Sequence, residues 1–225
     1  MRISASAIAA WRYCPRAFYY ERVEGRRRPI NENLVRGTLI HLIYEQFFTR
    51  KLFENADAFE SFLKEDLDKA IENEDGRISK LKMDKDELRE FLINSAKKLL
   101  IAFNDGRISI PTSNEQKVEI PEFVARVDAI FEKQGLSLTV ADVKIKLRDL
   151  ESVKLQLSVA AIILEQQGKR VEKGLAIDAE KWKEFEVDLT EELKKEVWNM
   201  REKILKMYET KEKPPCTCGR CDLAV

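Results

Sequence analysis

The stretch Arg126-Val127-Asp128-Ala129-Ile130, followed past Gly135 by Val140-Ala141-Asp142-Val143-Lys144-Ile145-Lys146, decides how this chain is read. Two runs of alternating apolar residues, separated by a short turn-like segment, make two antiparallel strands that meet near a glycine. Each strand carries one Asp among β-branched and apolar neighbours. Period-2 geometry aims Asp142 and Lys144 at the same face of the second strand. Two carboxylates and an ammonium gathered at one end of a sheet are costly unless a cation or a substrate uses them. The set suits a hard divalent ion such as Mg2+ or Mn2+, with the lysine near the water it activates. Aspartate and lysine are also ordinary at strand ends, so D-x-K alone decides nothing and the rest of the chain must be weighed with it.

At 225 residues the chain is long enough for one domain with a sizeable core. Hydrophobic residues make up 44% and charged residues 36%, with 40 basic against 40 acidic side chains and zero formal net charge. A packed fold is expected rather than disorder. Any nucleic acid must be held by a local basic patch and not by overall charge. No long uncharged apolar run and no basic–apolar–small leader is present, so a soluble cytoplasmic protein with no membrane partner is expected. Cys14 stands alone, whereas Cys216, Cys218 and Cys221 crowd the C-terminus. In a reducing compartment such clustering points to metal or cluster ligation rather than to disulfides.

Taken in order, Ser4 or Ser6 caps a short helix that stops near Pro15. Arg16-Ala17-Phe18-Tyr19-Tyr20 is basic and aromatic, and Gly25-Arg26-Arg27-Arg28-Pro29 is a cationic loop suited to solvent or to phosphates. The spacing predicts a helix over about 33–53, with Gly37 and His41 four apart on one side of it. Further helices are predicted over about 56–71 and 84–103, with Lys- and Glu-dense surfaces that read as solvated. Strands follow at about 117–120, 123–131 and 138–146. A helix over 152–167 carries Gln156 on its first turns, within reach of the strand that holds Lys144. A strand pair at about 171–177 and 182–187 precedes a long amphipathic helix capped by Thr190. This order describes an α/β fold with a mixed central sheet flanked by helices and a helical insertion over about 54–115.

The constellation Gly37…His41, Asp128, Asp142-Val143-Lys144 and Gln156, bracketed by Cys14 and by Cys216, Cys218 and Cys221, resembles the PD-(D/E)XK nuclease superfamily. Within it, the chain resembles the RecB-like branch that carries an iron–sulfur cluster, the CRISPR-associated RecB-like exonucleases above all. The opening Ser4-Ala5-Ser6…Tyr13-Cys14-Pro15-Arg16-Ala17-Phe18-Tyr19-Tyr20 looks like the N-terminal segment of those proteins. The likeness spans nearly the whole chain, least so over 54–115. Asp142 stands where many relatives carry Glu, and Ala160 where many carry an aromatic residue after the Gln.

The resemblance implies a restriction-endonuclease-like core in one domain, 1–225, with cluster-binding segments around residue 14 and over 214–225. It implies that His41, Asp128, Asp142 and the Val143 backbone carbonyl ligate Mn2+ or Mg2+, that Lys144 positions the attacking water and offsets phosphate charge, and that Gln156 orients Lys144 or touches DNA. Cys14, Cys216, Cys218 and Cys221 would hold an iron–sulfur cluster, 4Fe–4S rather than 2Fe–2S, with structural zinc as the alternative. The implied activity is an exodeoxyribonuclease acting on single-stranded DNA in CRISPR spacer acquisition, with integrase proteins as partners. Arg16, Tyr19, Tyr20, Arg26, Arg27 and Arg28 are candidates to steer and stack the strand. The rival readings are a repair or replication nuclease of the same chemistry, a non-catalytic cluster-bearing DNA-binding partner of an integrase, and a zinc-stapled scaffold.

Overall fold

The computed structural model describes residues 1–26, 29–133, 135 and 137–219. Its centre is a six-stranded mixed sheet built from β1 (Ile3–Ser4), β2 (Ser113–Glu119), β3 (Phe123–Lys133), β4 (Ser137–Lys144), β5 (Val171–Asp178) and β6 (Lys183–Val187). The order along the sheet is β1-β3-β4-β5-β6, with β2 paired to β3. β3 and β4 are antiparallel, as the alternation predicts, and β4 runs parallel to β5. The parallel step needs a crossover, and α8 (Leu150–Gln166) supplies it. Its N-cap Asp149 accepts the backbone N–H of Ser152.

Helices cover both faces. On one side, α1 (Ala5–Tyr13), α2 (Pro15–Arg22), α8 and α9 (Glu191–Thr210) share a core with Ile3, Phe123, Val127 and Val140. Ten residues of α8 are buried, and each Leu, Ile or Val among them contributes roughly 1.5–3 kcal/mol relative to exposure. On the other side, α3 (Glu32–Thr49) and α7 (Lys85–Asn104) pack over Ala129, Ala141, Val143 and Ile177. Trp182 locks that side. Its ring is fully buried and stacked on Tyr44 of α3, and its Nε1–H donates to the Ser95 carbonyl of α7 at 2.9 Å.

Three segments differ from the sequence expectation. The first helix stops at Tyr13, near Pro15 as expected, but a second, unexpected helix follows: α2, with Pro15 at its first position, where the missing N–H costs nothing. The helix expected over 56–71 is α4 (Ala56–Ser61), a π-helical turn (Phe62–Asp66) and α5 (Leu67–Asn73), followed by α6 (Asp75–Leu81). A π turn shifts the buried face, letting Phe59, Phe62, Leu63 and Leu67 all reach the core. Finally, β2 begins four residues earlier than predicted, which brings Glu115 into the sheet.

Candidate active site

The site forms where β3 and β4 part. The two strands are in register from Lys133↔Ser137 to Ala129↔Ala141. Beyond that point Val143 donates its backbone N–H to Asp128 Oδ2 at 2.6 Å, so a side chain takes the place of a ladder partner. The β2–β3 ladder is interrupted at the same level. Asn114 pairs with Ala129 and Gln116 with Val127, while Glu115 and Asp128 face each other across the skipped rung. Glu115 sits there with φ 50°, a left-handed conformation that costs a non-glycine residue about 1–2 kcal/mol.

His41 comes to this fork from α3. Its Nδ1 lies 3.2 Å from Asp128 Oδ1 and 3.7 Å from Glu115 Oε1. Ligand atoms of His41, Glu115 and Asp128 all fall within 4.8 Å of one another. Arg126 forms an ion pair with the other Glu115 oxygen. On the neighbouring strand Lys144 Nζ donates to Asp142 Oδ1 at 2.9 Å, and its ammonium also lies 2.8 Å from Oδ2. Asp142 and Lys144 thus share a face, as their spacing requires. Gln156 lines the same hollow as Asp142 and Lys144, with its amide donating to the Ser152 carbonyl at 3.4 Å.

The electrostatics follow from burial. Burial alone would lower the imidazole of His41, but hydrogen bonds to Asp128 and Glu115 raise it to about 10. Burial pushes Asp142 up to about 6 against the pull of Lys144. Lys144 is held above its ordinary range, because attraction to Asp142 and Asp128 outweighs the burial that would lower it. The fork therefore gathers the carboxylates of Glu115, Asp128 and Asp142 around His41 and Lys144, with Arg126 paired to the outer oxygen of Glu115.

That donor set fits a hard divalent ion. Carboxylate oxygens and one imidazole are the ligand types such ions take, and His41, Glu115 and Asp128 already bring their ligand atoms within 4.8 Å of one another. Glu115 is the residue that sequence reasoning passed over. Its approach to His41 depends on the β2–β3 register, which no local pattern announces.

At the far end of α1, Cys14, Cys216 and Cys218 bring their sulfurs within 4.8 Å of one another, with Cys216 and Cys218 at 3.8 Å. Burial would raise the Cys14 thiol, but hydrogen bonds from the backbone of Ala17, Thr217 and Cys218 and from the Cys218 thiol lower it to about 5. Thiolate character of this kind suits a soft metal or a cluster. Cys221 lies outside the described residues, as do Arg27 and Arg28.

The other proposed strand-steering residues are found against the tail. Tyr19 is buried and donates its hydroxyl to the Lys211 carbonyl, and Arg16 Nε donates to the Pro214 carbonyl. Tyr20 is buried, with Arg26 and Lys213 over its ring at 4.3 and 4.7 Å. None of the four lines a hollow around His41.

Comparison with known proteins places the chain. A family model described as the PD-(D/E)XK nuclease superfamily matches residues 2–225. The crystal structure of a candidate exonuclease from Eubacterium rectale is similar, with a TM-score of 0.53 at 13% identity over 99% of this chain and 86% of that one. The crystal structure of SSO0001 aligns at a TM-score of 0.27 and 14% identity, over 84% and 87% of the two chains. No curated protein matches.

Proposed function

The chain belongs to the PD-(D/E)XK nuclease superfamily, and from that premise we propose that it is an exodeoxyribonuclease that hydrolyses single-stranded DNA during CRISPR spacer acquisition, beside integrase proteins. The observation that supports the chemistry is the fork itself: His41, Glu115 and Asp128 within 4.8 Å, with the Asp142–Lys144 pair on the adjacent strand. The pathway reading rests on the likeness of residues 4–20 and of the split cysteine set to the CRISPR-associated exonucleases. The E. rectale protein, described as an exonuclease, agrees with action from an end.

The residues would share the work as follows. His41, Glu115, Asp128, Asp142 and the Val143 backbone carbonyl would hold Mg2+ or Mn2+. When bound, such an ion supplies Lewis acidity at the phosphoryl oxygen and lowers the pKa of water. Lys144 stays protonated between its carboxylates, so it serves as a cation facing the charge that develops on phosphorus rather than as a base. Gln156, in the same hollow, offers an amide to the substrate or to the water. Asp128 does double duty, because its other oxygen keeps the fork open through Val143.

We assign Cys14, Cys216, Cys218 and Cys221 to a 4Fe–4S cluster that clasps the tail to α1 and α2. Incubation of end-labelled single-stranded DNA with wild type and Lys144→Ala, in Mn2+ or chelator, tests the nuclease. Progressive shortening that needs both the ion and Lys144 supports it. An intact substrate with folded wild type and Mn2+ overturns it.

A further inference from the structure

Three hollows meet at His41, and their charges differ sharply. One, of about 660 Å³, is lined by Arg36, Lys98, Lys144, Lys146 and Arg148 against the single acid Glu180. A second, of about 500 Å³, holds Glu45, Glu74, Glu115 and Asp128 against Arg126 and the His41 that all three share. The third, of about 630 Å³, mixes Lys117, Arg126 and Lys144 with Glu115, Asp128 and Asp142. In a chain of zero net charge this segregation is a local feature, not a reflection of composition.

We propose that the basic hollow between α3, α7 and the end of β4 is the binding track for the phosphate backbone of the DNA strand on one side of the scissile bond. The proposal rests on the nuclease reading above and names residues that it did not assign.

Lys144 and His41 line the basic hollow and also the mixed one, so a backbone lying in the first reaches the fork. Lys98 of α7 and Arg148 beyond β4 are exposed and form no ion pair among the described residues, leaving both charges available to phosphates. Arg36 is already engaged: its guanidinium rests 4.9 Å from the Phe91 ring centre and pairs with Glu87 and Glu32 at 3.5 and 3.6 Å. Asn33 and Asn94 add neutral donors to the lining.

The acidic hollow repels the same backbone. The strand therefore runs from the basic hollow across the fork into the mixed one, where Ser4, Ser6 and Gln156 line its exit. The wall contributed by α7 gives the helical insertion a part in substrate binding that its solvated sequence does not suggest.

The test compares Lys98→Gln/Arg148→Gln with Lys97→Gln/Lys203→Gln, two exposed lysines outside the hollows that carry the same change in net charge. Fluorescence anisotropy of a labelled oligothymidylate, in calcium and over a range of salt, reads binding. Hydrolysis of bis(p-nitrophenyl) phosphate in Mn2+, which needs only the fork, reads the chemistry separately. The track predicts that the hollow variant binds about tenfold more weakly at 0.1 M salt and loses about 1.4 from its salt slope, two phosphate contacts' worth on a single strand. The control variant and the small-substrate rate stay at wild-type values.

Equal loss in both variants, an unchanged slope in the hollow variant, or no oligonucleotide binding by wild type overturns the track. If wild type binds through Lys98 and Arg148 yet leaves bis(p-nitrophenyl) phosphate intact, the track stands and the nuclease reading falls.

Discussion

Asp128 accepts the backbone N–H of Val143 at 2.6 Å while its second carboxylate oxygen faces His41 at 3.2 Å. One side chain thereby shapes the sheet and stands among the candidate metal ligands. Asp128→Asn retains a carbonyl acceptor for Val143 and loses the charge. Asp128→Ala loses both and leaves a buried N–H unsatisfied. Urea melts should place the Ala variant about 1–3 kcal/mol below the Asn variant. Mn2+ titration by calorimetry should show weak binding in both. Equal stabilities would mean that the fork does not depend on this bond.

Glu115 is the carboxylate whose position cost the chain a strained residue. Glu115→Gln preserves its shape and removes its charge. Mn2+ should bind roughly 10–100-fold more weakly, the range seen when the support of a metal site is removed. The same variant lowers His41 from about 10, because one of the two groups that hold it protonated is gone. NMR titration of the His41 ring, the only histidine in the sequence, reads that shift directly.

In the absence of metal, His41 also sets a pH dependence. Its folded value of about 10 lies above the ordinary imidazole value of 6.5, so its protonated form stabilises the fold fully below about pH 6.5. That contribution declines as pH rises and is lost through about pH 10. Asp142, raised to about 6, gives a slope of the same sign at lower pH, between about 4 and 6. Thermal melts in chelator should therefore fall between pH 6.5 and 10, and His41→Asn should flatten the fall. With Mn2+ present the trend should weaken or reverse, because the ion and the proton compete for the ring.

Cys14→Ser removes the buried thiol of the sulfur group. Iron content and visible absorbance of purified protein should drop with it, and the 211–219 segment should become the first site cut in limited proteolysis. Zinc instead of iron in the wild type, measured by elemental analysis, would replace the cluster with a structural ion.

Trp182→Phe keeps a ring against Tyr44 and deletes the bond to Ser95. The expected loss is about 1 kcal/mol, against about 3–5 kcal/mol for Trp182→Ala, which opens a cavity beneath α3 and α7. Denaturant unfolding of both variants checks the difference.

Much of this was legible in the chain because it is local. Asp142 and Lys144 share a face by the two-residue period, and Gly37 with His41 follows from one helical turn. The antiparallel β3–β4 pair follows from the alternating runs on either side of Gly135. What escaped was decided by contacts distant in sequence. Glu115 joins the site through register with β3, and its backbone conformation defeats any strand propensity. The stop of α1 near Pro15 was legible; that Pro15 also opens α2 was not, because it follows from the extended turn at Cys14. Nothing local announces that the hydroxyl of Tyr19 meets a carbonyl nearly two hundred residues away, or that Lys213 covers the ring of Tyr20.

The sulfur group and the fork are joined by α1. Cys14 follows the last turn of that helix, while Ser4, its cap, and Ser6 line the mixed hollow at the other end. Nine residues at 1.5 Å each make a rod of about 13 Å. Buried Ala5, Ala7, Ile8 and Trp11 bind that rod to the sheet, so the sulfur group and one wall of the mixed hollow stand at a fixed separation on a single rigid element.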